Sequence, residues 1–374
     1  MDFGLTAEQQ QLKESARSFL AKECPTARVR QIMASAEGAS PELHNEIAKL
    51  GWNAVLIPAD YGGAGLTMLD MAVLLEECGY AALPGPFLFS SVLAAWALAA
   101  GGSDRLKREW LPALAEGRAL GTVAIIEAND SLNSADFSTM ATREGGGFVL
   151  NGTKMFVPYA HVADFLLVAA RTDEGNTALF AVKPGAAGIH VKLHNSLDLT
   201  RRVGIVELAG VMVNPDAMLR AGGHLYDRLL AVGAVAMAAD SLGGMERALE
   251  MAVEYSKIRE QFGKPIGAYQ ALQHAAAEIV ADLEPARSLL WYAAHAQDAV
   301  PADALRSASM VKARMCEAYM RNTDKAVLMH GGIGFTWDHD IHLWFKRARF
   351  NESFFGSPSF HRERVAVLSG YGTH

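Results

Sequence analysis

Apolar residues recur at helical spacing from the start of the chain. Leu12, Ala16, Phe19 and Leu20 share one helix face, and Thr6 with Gln9 three positions on makes a capping box at its head. Pro41 after Ser40 opens a second helix. The turn Pro58-Ala59-Asp60-Tyr61-Gly62-Gly63-Ala64-Gly65 separates it from a third over 68–78, and patterns over 94–100 and 106–114 follow. At Gly121 the period changes. Short β-rich runs appear at 122–126, 147–150, 165–169, 178–182, 190–193 and 206–213, with turn signals between them such as Asn151-Gly152 and Asp173-Glu174-Gly175-Asn176. From Tyr226 onward long helical patterns return. These runs predict an α+β chain with a helical segment over 1–118, a small antiparallel barrel or sandwich over 119–222, and helices over 223–374. Helix, then β, then helix excludes the alternating βα pattern of a doubly wound nucleotide-binding fold.

Composition adds limits. The 374 residues suffice for a large core, and 51% hydrophobic with 20% charged is ordinary for a globular protein. A net charge of −7 argues against a nucleic-acid surface. Cys24, Cys78 and Cys316 are odd in number and far apart, which fits neither a disulfide framework nor a metal site and predicts a reducing, cytoplasmic setting. The N-terminus reads as no signal segment, and no apolar run reaches the roughly 20 residues of a membrane span. The stretch 229–239 reads as a buried helix.

Chemistry concentrates in the run Ser256–His274. A helical pattern ends near Glu260, breaks at Gly263-Lys264-Pro265-Ile266-Gly267 and restarts, gathering Arg259, Gln261, Phe262, Gln270, Gln273 and His274 beside the break. Arginine offers a fixed cationic fork for phosphate, phenylalanine a flat face, and glutamine amide contacts. That assortment suits a dinucleotide with a planar head. A second constellation is His330-Gly331-Gly332-Ile333-Gly334, where glycines allow close backbone approach and offer amide N–H groups to phosphate. His339 and His342, three apart in Asp338-His339-Asp340-Ile341-His342, invite a metal reading, but no further ligand cluster completes a site and a surface or subunit contact is expected. A third is Asn151-Gly152-Thr153-Lys154-Met155-Phe156-Val157-Pro158-Tyr159, a turn leading into an aromatic-bearing strand.

In the same order along the chain, these segments resemble the acyl-CoA dehydrogenase family, as do Gly51-Trp52, the turn from Pro58 to Gly65, and Glu76-Glu77-Cys78-Gly79. The resemblance implies a helical N-terminal domain, a β domain, a C-terminal four-helix bundle and bound FAD. It implies that Arg259, Gln261, Phe262 and Gln270 of one chain meet the turn of His330, Gly331, Gly332 and Gly334 of another around the FAD. Phe156, Val157 and Pro158 are expected to line the flavin, with Ser357 near its ribityl or pyrophosphate region. Two departures stand out: Pro158 occupies the place of a threonine whose hydroxyl bonds flavin N5, and around Ile125–Asp130 only Glu127 matches a conserved-type loop of the family.

The family reaction removes an α-proton from an acyl thioester while a hydride leaves the β-carbon. Many members use a glutamate in a C-terminal loop as the base. Counting from the glycine turn brings that loop to Phe354-Phe355-Gly356-Ser357-Pro358, with Phe355 at the glutamate position. A phenyl ring accepts no proton, though the Phe355 N–H remains available to a thioester carbonyl. Glu352, three residues earlier, points about 60° away on a helix. Other members place the base on the first helix of the C-terminal domain, whose matching point here is Gly233-Ala234. Asp227 and Asp240 flank it about two turns away. Asp240, in an apolar run, is the candidate base of this chain; its alternative is a pairing or subunit-contact role. The expected function is α,β-dehydrogenation of an acyl-CoA, with electrons passing to an electron-transfer flavoprotein. The chain also resembles the small subunits of two-component bacterial acyl-CoA dehydrogenases, which lack the C-terminal glutamate. A homotetramer, or an α2β2 heterotetramer whose related chain brings the base, is therefore expected. Oxygen activation, as in monooxygenase relatives of the fold, is a third reading that no residue favours.

Overall fold

The computed structural model describes residues 4–372. In chain order its principal elements are α1 Ala7–Glu23, α2 Thr26–Ala34, α3 Pro41–Lys49, α4 Met68–Tyr80, α5 Ala95–Gly101 (preceded by a π-helix, Leu88–Ala94) and α6 Asp104–Ala115. Then come β1 Gly121–Ala124, β2 Met140–Glu144, β3 Gly147–Pro158, β4 Phe165–Thr172, β5 Thr177–Val182, β6 Ile189–His194 and β7 Val203–Val213. The remainder is α7 Gly222–Ile258, the strand pair β8 Glu260–Gln261 and β9 Lys264–Pro265, α8 Gln270–Ala299, α9 Ala304–Met329, α10 Ile341–Ser353 and α11 Pro358–Leu368. The α+β order of helices, sheet and helices is the one expected. In space the chain forms two compact units. One takes residues 4–31, Met68–Leu83 and 233–372, and the other Ile32–Thr67 and Pro84–Val232, so the N-terminal helices are divided between them.

The second unit is built on a seven-stranded sheet ordered β1-β4-β2-β3-β7-β6, with β5 on β4. It is mixed rather than antiparallel, because β4 pairs in parallel with both β1 and β2. β2 escaped the sequence reading because only Ala141 of its five residues is buried, which leaves no apolar alternation. Asn151-Gly152 is not a turn. β3 runs straight through it as a bulge, with the register against β7 shifting between Leu150 and Gly152. A Cβ on Gly152 would lie 2.6 Å from Thr139 Cα, so only glycine passes there. The hairpin turn before β3 is Gly145-Gly146, both at positive φ, the conformation a two-residue turn requires. Phe148, Leu150, Val168, Phe180 and Val206 fill the core on one face of the sheet.

In the first unit α9 packs against α8, α10 and α11, while α4 packs against α1 and α8. α4 and α7 touch backbone to backbone: a Cβ on Gly79 would fall 1.9 Å from Asp240 O, and one on Gly243 1.7 Å from Glu76 O. Glu76 and Glu77 are fully buried here, held by Lys13, Arg17 and Arg287. Their pairing explains this Glu-Glu motif structurally. α7 is long and apolar enough to cross a membrane, yet 94% of its most apolar window is buried inside the protein, including the stretch 229–239.

Candidate functional site

Helix α7 ends at Ile258, and the β8–β9 hairpin follows with Phe262 and Gly263 at its tip. Their φ values of +53° and +79° fit a type I′ turn, a left-handed conformation that is unfavourable for phenylalanine. Phe262 is nonetheless 92% exposed, so no packing within the chain repays that strain. The hairpin and the turn after α9 meet around one cavity of about 710 Å³, lined among others by Arg259, Gln261, Phe262, His330, Gly331 and Gly332. The resemblance implies the two motifs on different chains; here both line one cavity of a single chain. One protomer therefore presents both.

This cavity fits the dinucleotide end of FAD. The Arg259 side chain has no hydrogen bond or ion pair among the described residues. Gly331 sits at φ +65°, and nothing lies within 4 Å of where a Cβ on Gly331 or Gly332 would be, so the backbone is open to a ligand. The wall includes residues that the sequence did not single out: Tyr255, Tyr269, Leu328 and Met329. Of these, Tyr269 lay inside the run 256–274 and Tyr255 one helical turn before Arg259, while Leu328 and Met329 carried no signal. Tyr269 Oη donates to Gln261 O at 3.0 Å and Lys264 Nζ lies 4.4 Å from its ring, which fixes the hairpin. His330 caps α9 through Nδ1 to Ala326 O at 2.7 Å, and burial holds its pKa below the ordinary value. Gln270 opens α8 and lies exposed, outside the cavity lining, while Gly334 is buried with its would-be Cβ 2.6 Å from Val327 O. Gly334 thus serves the fold of the turn. His339 Nδ1 accepts from Ile341 N at 3.1 Å and His342 packs its ring 4.6 Å from Trp337.

In the sheet unit, β3 kinks where the sequence places the flavin-lining residues. Phe156 has φ +51° and is 40% exposed, Val157 and Pro158 are buried, and the register against β7 shifts between Lys154 and Val157. Pro158 O accepts from Thr122 Oγ1 at 2.5 Å, and Tyr159 Oη bonds Thr200 O at 2.8 Å and Gly85 N at 2.9 Å. These bonds hold the kink that turns Phe156 outward. Glu127 lies beneath. It accepts from Lys154 Nζ at 2.7 Å, from the N–H and Oγ of Ser138 at 2.6 Å each, and from Thr139 N at 3.0 Å. Burial pushes its pKa up, but Lys154 and these donors prevail and hold it down to about 2. Glu127 pins the 127–139 loop to β3.

The loop Phe354-Phe355-Gly356 connects α10 to α11 in the helical unit. Phe355 has φ +59° and is fully buried. Its ring lies on Gly233 of α7: a Cβ there would stand 2.6 Å from Cδ1 and Cε1. The two positions that the resemblance points to for a base are therefore in contact, and neither bears a carboxylate. Glu352 points away to Arg349 at 2.9 Å. Ser357 caps α11, accepting from Phe360 N at 3.3 Å. Asp240 is 2% exposed; its Oδ2 accepts from Asn351 Nδ2 at 2.7 Å, and its Oδ1 lies 3.5 Å from Nη1 of the fully buried Arg347. That carboxylate is engaged in joining α7 to α10.

The chain matches the acyl-CoA dehydrogenase family in three stretches: its N-terminal domain over residues 6–118, its middle domain over 122–202 and its C-terminal domain over 221–367. Acyl-CoA dehydrogenase IpdE2 of Mycolicibacterium smegmatis is 32% identical over 365 residues, covering 97% of this chain and 98% of that protein. The structure of the ChsE4–ChsE5 complex from Mycobacterium tuberculosis is similar with a TM-score of 0.92 at 30% identity, covering 100% of both chains. Butyryl-CoA dehydrogenase from Megasphaera elsdenii gives a TM-score of 0.89 at 26% identity, covering 99% of this chain and 100% of that one. By these matches along its length, this chain belongs to the acyl-CoA dehydrogenase family, FAD-dependent oxidoreductases acting on CH–CH groups.

Proposed function

We propose that this chain is one of two related subunits of a heteromeric acyl-CoA dehydrogenase, with the catalytic base supplied by the related chain. The observation that carries the reading is the Phe355 ring on Gly233. Abstraction of an α-proton requires a basic atom within hydrogen-bond reach of it. A phenyl ring and a glycine offer none, Glu352 faces Arg349, and Asp240 is held by Arg347 and Asn351. Asp240 is therefore better assigned to packing than to catalysis. The similarity to the ChsE4–ChsE5 complex supports two unlike chains, since that structure is itself a complex.

The chemistry that bound FAD would supply is acceptance of the hydride from the β-carbon. This chain's part is to hold the FAD. Arg259 and the open backbone of Gly331 and Gly332 are suited to the pyrophosphate, Gln261 and Phe262 to the adenosine end, and Phe156 to the flavin ring. Pro158 has no hydroxyl to give to flavin N5, so that bond must come from another donor. The electron acceptor in this reading is an electron-transfer flavoprotein, the assembly is α2β2, and the setting is the cytoplasm, in keeping with three buried, free cysteines.

Expression alone and with a related chain that carries the C-terminal glutamate tests the reading. The pair is expected to be yellow and to bleach with an acyl-CoA under anaerobic conditions, while the chain alone does not bleach. A yellow homotetramer of this chain that an acyl-CoA bleaches would overturn it.

A further inference from the structure

The histidines of Asp338-His339-Asp340-Ile341-His342 belong to no metal-ligand cluster among the described residues. His339 stands instead behind the cofactor turn. Its ring lies 4.3 Å from that of His330, and Tyr255 packs 4.8 Å from His330 and 6.3 Å from His339. Tyr255 and His330 also line the dinucleotide cavity, and His330 immediately precedes Gly331 and Gly332, whose backbone is open to a ligand. An imidazole is thus held where the phosphate turn begins. Of the described residues lining that cavity, Arg259 carries the one fixed positive charge. Lys264, on the same hairpin, is engaged on the Tyr269 ring at 4.4 Å. The pyrophosphate of FAD is a doubly charged anion, so its second charge meets no partner in the lining except His330.

The two imidazoles differ in what a proton would meet. In neutral His330 the proton is on Nδ1, because Ala326 O accepts from it at 2.7 Å. Its Nε2 is buried and makes no hydrogen bond. The carbonyls of Ala326 and Met251 both favour the charged ring, but burial is the larger effect and holds His330 below the ordinary 6.5. His339 Nδ1 already accepts from Ile341 N at 3.1 Å, and a proton there would break that bond. The charges facing His339 are Asp340 and Arg30 of α2, which pair with each other at 2.6 Å and act on it in opposite directions. A proton entering this pair of rings therefore goes to His330 Nε2, and His339 stays neutral beside it.

We infer that His330 takes up a proton at Nε2 as FAD binds, matching the second pyrophosphate charge, so that this chain holds FAD more tightly as the pH falls. The inference rests on the reading above that places the pyrophosphate at Arg259 and the Gly331–Gly332 turn. The sign follows from the two states of the ring. Burial makes it neutral down to a lowered pKa, and an anion beside it raises that pKa. Between the two values binding takes up a proton, so affinity rises as the pH falls through that window. Below the window the ring is charged with or without FAD, and the dependence ends. His339 is a positioning residue, packing on the ring that takes the proton.

The test titrates FAD into the assembly stripped of its cofactor, by calorimetry in two buffers of different ionisation heat, from about pH 8 to about pH 5.5. The wild type is expected to take up a proton within that range, with the dissociation constant falling by up to about tenfold per pH unit. His330→Asn keeps a donor for Ala326 O and cannot titrate, so its dissociation constant is expected to stay flat, with no proton taken up. Should it not fold, His330→Phe, which keeps a ring against Tyr255 and His339, carries the same expectation. His339→Phe is expected to retain the uptake, which assigns the proton to His330. No uptake in the wild type, uptake that survives at position 330 in either variant, or uptake lost in a folded His339→Phe assembly overturns the inference. Arg259→Ala separates it from the reading beneath. If that variant binds FAD as the wild type does, the pyrophosphate lies elsewhere and both fall. Weakened binding in Arg259→Ala, with no proton uptake in the wild type, sinks the His330 inference alone.

Discussion

The ring of Phe355 rests on the backbone of Gly233, with ring atoms 2.6 Å from where a Cβ would be. Two opposing effects bear on Gly233→Ala. Alanine in place of glycine inside a helix is worth about 1 kcal/mol. Forcing a methyl group into a filled site costs about 1–3 kcal/mol. The clash is the larger effect because His361 Nε2 bonds Phe355 O at 2.7 Å and Lys312 Nζ bonds Gly356 O at 2.8 Å, which keeps the ring from moving aside. A net loss of about 1 kcal/mol is expected in urea unfolding. In a Phe355→Ala background, itself destabilised by the cavity left behind, Gly233→Ala should no longer cost stability. If the two substitutions are additive, the rings and the helix do not press on each other.

Arg259 is the cation that the cavity leaves without a partner among the described residues. A hydrogen bond to a charged group contributes about 1.5–3 kcal/mol. Arg259→Ala should therefore weaken FAD binding by roughly 10- to 100-fold, at 1.4 kcal/mol per tenfold. Arg259→Lys should fall between, since an ammonium keeps the charge and loses the fork. Fluorescence quenching of FAD titrated into the apo assembly reads this directly. An unchanged dissociation constant in Arg259→Ala would place the pyrophosphate elsewhere.

The helices were legible because their signals are local. Thr6 accepts from Gln9 N and Gln9 reaches back to Thr6 N, and Ser40 and Pro41 open α3, as the residues predict. β2 and the bulge at Gly152 were not, because what makes Met140–Glu144 a strand is its neighbours β3 and β4, and what makes Gly152 necessary is Thr139 on another segment. The dinucleotide motifs were visible in the sequence as two separate runs. That they share one cavity on one chain follows from the way α7 and α9 end side by side, which spacing does not encode. Lys312 and His361 carried no signal at all. A lysine in a helix reads as surface, and only the three carbonyls it meets show otherwise.

Asp240 separates a structural carboxylate from a catalytic one. Asp240→Asn keeps the shape and removes the charge facing Arg347, which is fully buried. Breaking a buried pair from one side costs about 3–5 kcal/mol, because the other charge is left uncompensated. A marked loss of thermal stability is expected, with turnover per folded assembly within about twofold of wild type, a difference under 0.5 kcal/mol in the barrier. The double variant Asp240→Asn with Arg347→Met should regain much of the stability. Abolished flavin bleaching in a folded Asp240→Asn assembly would restore this residue as the base.

The pair Glu127–Lys154 offers a pH test of what holds β3 in its kinked path. The Glu127 carboxyl sits at about 2, below its ordinary 4.5, so the folded protein binds the anion better than the unfolded chain does. Stability from this group is then fully present above about 4.5 and drains away as pH falls toward 2. Glu127→Gln removes that contribution and leaves the Lys154 ammonium buried beside Phe137, 4.2 Å from its ring. Burial already holds the lysine down to about 8, so in the variant it can shed its proton at modest cost. The loss at neutral pH is therefore expected at the low end of the range for a broken buried pair, about 3 kcal/mol. That difference from wild type should shrink steadily below pH 4.5 and close near pH 2, followed by urea unfolding across the range. A difference that stays constant down to pH 2 would mean that shape, and not charge, is what Glu127 brings to the loop.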